Sequence, residues 1–221
     1  MEANNKTSKG RHLLLFDLMD TVLIDPFFPA IQKLLDAKTL EQWRSLRDPA
    51  AFYAFEKGEI SEREYFRTFY RTGKLPSHIP SVPKLKKHMF SQVHFRPGME
   101  KLLQSLSSRT DLALGIASNY SSWYHTVLSR RPELENWFEF LFFSCELGLR
   151  KPDPAYYRAI HESLGESFAS IHFFDDRKDN LMPCQDLGWS SVEIALRTSN
   201  PEDAEKVTEE ILAPLRLAGI L

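Results

Sequence analysis

Cysteine is scarce in this chain of 221 residues, where Cys145 and Cys184 are the only two. Two cysteines exclude a disulfide framework and a structural zinc site. Cys145, beside the apolar run Leu141-Phe142-Phe143, reads as a buried free thiol and suits a reducing compartment. No apolar run approaches the roughly 18 residues of a membrane span. Neither sign of charge prevails: 28 basic against 30 acidic residues leave a net charge of -2, so no basic face awaits nucleic acid. The histidines lack paired metal spacing, and no glycine-rich phosphate loop occurs. Residues 1–12 have neither the hydrophobic stretch of a signal peptide nor the arginine bias of an organelle-targeting segment, and they read as a flexible tail. The expectation is a cytoplasmic protein with no membrane or nucleic-acid partner; monomer and homodimer both stay open.

What is there is an ordinary globular composition, 43% hydrophobic and 26% charged, which excludes disordered and fibrous classes. Short apolar runs recur at Leu13–Phe16, Leu112–Ala117, Phe140–Phe143, Ile171–Phe174 and Val192–Ile194, and each reads as a buried strand. Helical patterns over Ser121–Leu128, Pro154–Leu164 and Asn180–Leu187 separate the later four, and a last helix runs from Pro201 to about Leu217 with Asn200 as its cap. Such alternation predicts an α/β, Rossmann-like parallel sheet of five strands flanked by helices. Chemistry in these sheets sits at the carboxyl ends of the strands.

Residues 25–94 break the rhythm, with amphipathic patterns and no convincing strand. Ser61 with Glu64 forms a capping-box signature. The predicted organisation is an α/β core of 13–24 and 95–221, with a helical cap domain of 25–94 placed over the first strand's carboxyl end.

Four strand ends carry polar groups. The first strand runs into Asp17-Leu18-Met19-Asp20-Thr21, and a carboxylate in that position serves as nucleophile, metal ligand or simple turn residue. Ser118-Asn119 ends the second strand and reads as a turn, a helix cap or part of a site. After the third comes Lys151-Pro152-Asp153-Pro154, which sets an ammonium beside the sheet edge and starts a helix with Asp153 as cap. After the fourth comes Asp175-Asp176, followed by Asn180. Adjacent carboxylates repel unless a cation compensates, and with Asp17 facing them an oxygen-rich magnesium site explains the cluster.

This order of motifs resembles the haloacid dehalogenase superfamily, over nearly the whole chain from Leu13 to about Leu217. Closest are the members with a helical cap after the first motif, including sugar-phosphate phosphatases and the phosphatase domain of epoxide hydrolases. The resemblance implies that Asp17 attacks phosphorus and forms an aspartyl-phosphate. It implies Mg2+ held by Asp17, the backbone carbonyl of Met19 and Asp176, with Asp175 acting through water. Ser118, the amide of Asn119 and Lys151 would hold the phosphoryl oxygens of a small phosphorylated metabolite, Asn180 would orient Lys151, and Thr21 would support the first motif.

One position departs from the pattern. Most phosphatases of this family carry an aspartate as general acid and base two residues after the nucleophile, where this chain has Met19. Asp20 lies one residue further on, which aims its carboxylate elsewhere or makes it a substitute. Three activities follow: a phosphatase slowed roughly 10²–10⁴-fold by the missing group, a 2-haloacid dehalogenase, or a catalytically quiet relative that binds a phosphorylated ligand. The many aromatics of 25–94 read mainly as the core of a small bundle. Arg44, Arg47, Arg67 and Arg71 read as solvated helix faces or as contacts for a second anion.

Overall fold

A computed structural model of the chain describes residues 10–71 and 75–221. Five parallel strands, β1 (His12–Phe16), β2 (Leu112–Ser118), β3 (Phe140–Phe143), β4 (Ser170–Asp175) and β5 (Ser190–Glu193), form one sheet in the order β3-β2-β1-β4-β5. Helices flank the sheet, as the alternation of patterns requires. β1 lies at its centre because Leu13, Leu14, Leu15 and Phe16 can all be buried at once. Alternate side chains serve opposite faces: Leu13 and Leu15 pack with Tyr156, Tyr157 and Ile160, while Leu14 and Phe16 pack with Leu103 and Ile211. Each such leucine contributes roughly 1.5–3 kcal/mol of burial.

The register decides where the chemistry goes. Phe16 stands beside Ile116 of β2 and Phe174 of β4, and its ring stacks on that of Phe174 at 4.9 Å. The Asp17 amide then donates to the Phe174 carbonyl at 2.8 Å, which extends the ladder by one bond. Asp17, Ser118 and Asp175 therefore emerge at one edge.

Some boundaries differ from expectation. Of the tail expected over 1–12, residues 1–9 lie outside the described residues, and His12 already belongs to β1. Arg11 donates to the Leu112 carbonyl at 2.5 Å and pairs with Glu139. β5 begins two residues early, because pairing with β4 draws in Ser190 and Ser191, whose side chains need no core at an edge strand. The helix expected over 180–187 is an α turn, Lys178–Leu181, that tightens into a 3-10 segment, Met182–Leu187, containing Pro183, which lacks an amide donor. The helix expected from Ser121 starts at Tyr124, and the last one opens as a 3-10 turn over Pro201–Asp203 before its α segment, Ala204–Leu217. Asn200 caps it as expected, accepting from the Glu202 amide at 3.1 Å.

Five helices, Phe27–Leu34, Ala37–Leu46, Pro49–Glu56, Glu62–Thr68 and Val82–Met89, stand between β1 and the helix that leads into β2. The capping box is present: the Ser61 hydroxyl accepts from the Glu64 amide, and Glu64 accepts from the Ser61 amide at 2.8 Å. Trp43, Phe55, Tyr65 and Phe69 are buried among these helices. Gly58 brings the segment against the sheet, its φ of +72° shaping a turn in which a Cβ atom would lie 2.3 Å from the Cys145 carbonyl oxygen. Cys145 itself is only partly buried, contrary to expectation, because it lies in the short helical turn Ser144–Leu147 after β3. Burial still pushes its thiol up to about 11.

Candidate active site

Lys151 organises the carboxyl edge. Its ammonium is 1% exposed and donates to Asp17 Oδ1 at 2.8 Å, to Asp175 Oδ2 at 2.6 Å and to the Ala117 carbonyl at 2.7 Å. All three of its protons are used. Burial opposes the charge, but Asp17 and Asp175 outweigh it and hold the Lys151 pKa above its ordinary value. Asp17 is pushed up to about 7, chiefly by burial, with Lys151 pulling down and Asp175 pushing up.

Asp175 has no free oxygen. Oδ1 accepts from the Arg177 amide at 2.8 Å and from Asn180 Nδ2 at 2.9 Å, while Oδ2 takes Lys151 and a second Asn180 contact at 3.0 Å. Asn180 thus holds Asp175 and makes no hydrogen bond to Lys151, which corrects the role expected for it. Lys151 is positioned by Asn119 instead: its amide donates to Asn119 Oδ1 at 2.8 Å, and Asn119 Nδ2 donates to its carbonyl at 2.9 Å. The hydroxyl of Thr21 is fully buried and, among the described residues, has no hydrogen-bond partner.

One carboxylate oxygen from each of Asp17, Asp175 and Asp176 lies within 4.8 Å of the others, although those of Asp175 are already hydrogen-bonded. Asp176 is raised by burial and by Asp175, and lowered by Arg197, which pairs with its carboxylate and donates to its carbonyl at 2.7 Å. Three carboxylates against one buried ammonium leave excess negative charge, and an all-oxygen donor set is what magnesium takes.

Met19 and Asp20 line the cavity with Asp17. Asp20 is the one non-glycine residue with positive φ, 57°, among the described residues. That backbone, and the Asp25 amide donating to its Oδ1 at 3.0 Å, turn its carboxylate toward Arg197, 3.5 Å away. The cavity is about 460 Å³ and continues from Asp17, Ser118, Asn119 and Lys151 to an aromatic wall that includes Phe27, Phe52 and Tyr53. Asp25 also lines it, and burial raises this carboxyl to about 6.

A family model of the haloacid dehalogenase-like hydrolases matches residues 14–194. The chain belongs to that family. It is 32% identical over 192 residues to flavin mononucleotide hydrolase 1, a chloroplastic protein of Arabidopsis thaliana, covering 86% of this chain and 76% of that one. A shorter match, 34% over 76 residues, joins it to bifunctional epoxide hydrolase 2 of Rattus norvegicus, covering 34% of this chain and 14% of that protein. A HAD family enzyme from Bacteroides thetaiotaomicron, solved in complex with magnesium and inorganic phosphate, shares the fold with a TM-score of 0.62 at 22% identity, covering 83% and 94% of the two chains.

In this haloacid dehalogenase-like hydrolase, the structure brings Asp17, Ser118, Asn119, Lys151, Asp175, Asp176 and Asn180 to one edge, with Met19 and Asp20 beside them. Residues that sequence reasoning passed over are Asp25, Arg197 and the pair of half-buried Arg150 with buried Glu56, at 2.6 Å. Arg197 carried a readable signal, since it follows the fifth strand in the same way that the others follow theirs. Asp25 and Glu56 carried none.

No helix among the described residues is long and apolar enough to cross a membrane.

Proposed function

We propose that this hydrolase cleaves the phosphoester bond of small phosphorylated metabolites, with Asp17 as nucleophile. The observation that carries the reading is the buried Lys151 ammonium bridging Asp17 and Asp175 at the floor of a cavity large enough for a small-molecule substrate. A carboxylate held beside a fixed cation is preorganised for a phosphoryl group, whose transfer depends chiefly on positioning and charge neutralisation.

In this reading Asp17 forms a bond to phosphorus and the ester oxygen leaves; water then cleaves the aspartyl-phosphate and regenerates the carboxylate. Lys151, Ser118 and the Asn119 amide hold phosphoryl oxygens, with Asn119's side chain fixing Lys151 and Asn180 fixing Asp175. Asp17, Asp176 and the Met19 carbonyl would hold magnesium, and Asp175, whose oxygens are already hydrogen-bonded, would act through water. When bound, the cation supplies the positive charge that offsets the carboxylates and the phosphoryl group. Residues 25–94 serve as the cap over a core of 13–24 and 95–221. Flavin mononucleotide is the first substrate to test, because it is in the name of the Arabidopsis relative and the cavity has an aromatic wall. The two unpaired cysteines support a cytoplasmic location, which a fluorescent fusion tests against the plastid of that relative.

Met19 favours a second reading, 2-haloacid dehalogenation, since a halide leaves without needing a proton. Phosphate esters and 2-haloacids, each with and without magnesium, separate the two. Phosphate release that requires magnesium and disappears in Asp17→Asn supports the first reading; halide release without metal replaces it with the second. Neither activity leaves the quiet ligand-binding relative.

A further inference from the structure

Among the described residues Arg47 and Arg177 are cavity arginines without a side-chain partner, and Arg47 is the one set among the aromatic rings. The residue joins two helices: its backbone pairs with Tyr70, flanked by Asp48 N to Phe69 O at 2.8 Å and Arg71 N to Leu46 O at 2.9 Å, so its position is fixed from both sides. Its guanidinium lies over the rings of Trp43 at 4.7 Å, Phe27 at 5.2 Å, Phe69 at 5.4 Å and Phe52 at 6.0 Å. The aromatic faces support the charge through their quadrupoles and leave the N–H edges to find partners elsewhere. Among the described residues they find none. Arg47 makes no ion pair or side-chain hydrogen bond, and its Nε is buried without a partner. Arg150, the other cavity arginine over an aromatic ring, is engaged with Glu56. A half-buried guanidinium whose Nε is buried without an acceptor carries a desolvation cost, and it fits a site whose missing acceptor arrives with a ligand.

Resting on the phosphatase reading, we propose that Arg47 is the specificity residue for the leaving group, donating to carbonyl oxygens on a heteroaromatic ring that packs among Phe27, Phe52 and Tyr53. Lys151 and Asp17 take the phosphoryl end of the same molecule. A cavity of about 460 Å³ accommodates both ends. An arginine fork matches paired acceptors in a plane, as a lysine ammonium does not.

The test uses the full chain with magnesium and compares kcat/KM for flavin mononucleotide and for glycerol 2-phosphate, which has no ring. Losing a charge-assisted contact corresponds to roughly 10- to 100-fold in binding. In Arg47→Met the flavin-to-glycerol ratio should fall by that factor, mainly through KM, and Arg47→Lys should fall between. A ratio unchanged within about twofold overturns the proposal; if Arg47→Met fails to fold, Arg47→Lys decides on the same ratio. Riboflavin, which lacks the phosphoryl group, gives a readout independent of turnover. It should quench on binding to the unmodified protein and bind at least about tenfold more weakly to Arg47→Met. Equal riboflavin affinity, or none for the unmodified protein, sinks the proposal. Failure of every phosphate ester would remove the phosphatase reading, yet the riboflavin measurement would still decide the role of Arg47.

Discussion

Asn119 grips the backbone of Lys151 from both sides, accepting from its amide at 2.8 Å and donating to its carbonyl at 2.9 Å. The ammonium that touches Asp17 and Asp175 is therefore aimed by a residue on a different strand end. Asn119→Ala would orphan two backbone groups and cost about 1–3 kcal/mol in stability. Turnover should fall at least about tenfold, because small displacements of a positioned group are expensive in rate. Thermal melting and phosphate release check both; unaltered turnover would mean that Asp17, Asp175 and the Ala117 carbonyl hold the ammonium by themselves.

Magnesium should stabilise the protein more at pH 8 than at pH 5. Burial raises Asp17 to about 7 against its ordinary 3.8. Between about pH 4 and 7 the metal-free folded state binds a proton that the unfolded chain has lost, so stability declines as pH rises through that window. Above it Asp17 is ionised beside Asp175 and Asp176, more negative charge than Lys151 alone balances, and the benefit of a cation is largest. Melting in chelator and in millimolar magnesium at the two pH values measures this; a shift no larger at pH 8 counts against the carboxylate site.

Met19→Asp should raise turnover on the order of 10²-fold for esters with poor leaving groups, and less for activated aryl phosphates. Asp20→Ala should change little, since the Asp20 carboxylate is turned to Arg197 and held by the Asp25 amide. A large loss in Asp20→Ala would instead make Asp20 the proton carrier.

Asp25→Asn should raise the melting temperature at pH 7.5 and leave it unchanged near pH 4. Burial holds this carboxyl at about 6, while its Oδ1 accepts from the Phe27 amide at 2.9 Å, a bond that asparagine can keep. The raised pKa penalises the folded state above about pH 6, and the penalty vanishes below 4. A pH series of melts decides it: a difference that does not shrink on acidification refutes the assignment.

Gly58→Ala should destabilise by about 2 kcal/mol or more. The left-handed backbone alone costs alanine about 1–2 kcal/mol, and the added methyl would overlap the Cys145 carbonyl. Denaturant unfolding reads the loss.

Much of the site was legible because it lies at strand ends, and the strands announced themselves as apolar runs. The cap at Asp153 and the capping box at Ser61 needed only local chemistry, whereas the four motifs were ambiguous one by one and became readable through their order at successive strand ends. What escaped depends on the actual turn geometry or on distant neighbours. Asn180 was assigned to Lys151 by family analogy, whereas the turn after β4 directs its amide at Asp175 within the same turn. Arg47 looked like one of several surface arginines; only the packing of Phe27, Trp43, Phe52 and Phe69 around it distinguishes it from Arg44. The start of β5 escaped because an edge strand needs little apolar character, and register with β4 set it.

The central place of β1 has a consequence for synthesis on the ribosome. The strand is made early, yet its neighbour β4 follows only after β2 and β3, which lie on its other flank. Until residues 170–175 emerge, one side of β1 stays open and Asp17 has neither Asp175 nor the lysine bridge between them. The nascent chain therefore exposes an apolar strand edge through most of elongation, and a stall before β4 would leave a sheet prone to pair with other chains.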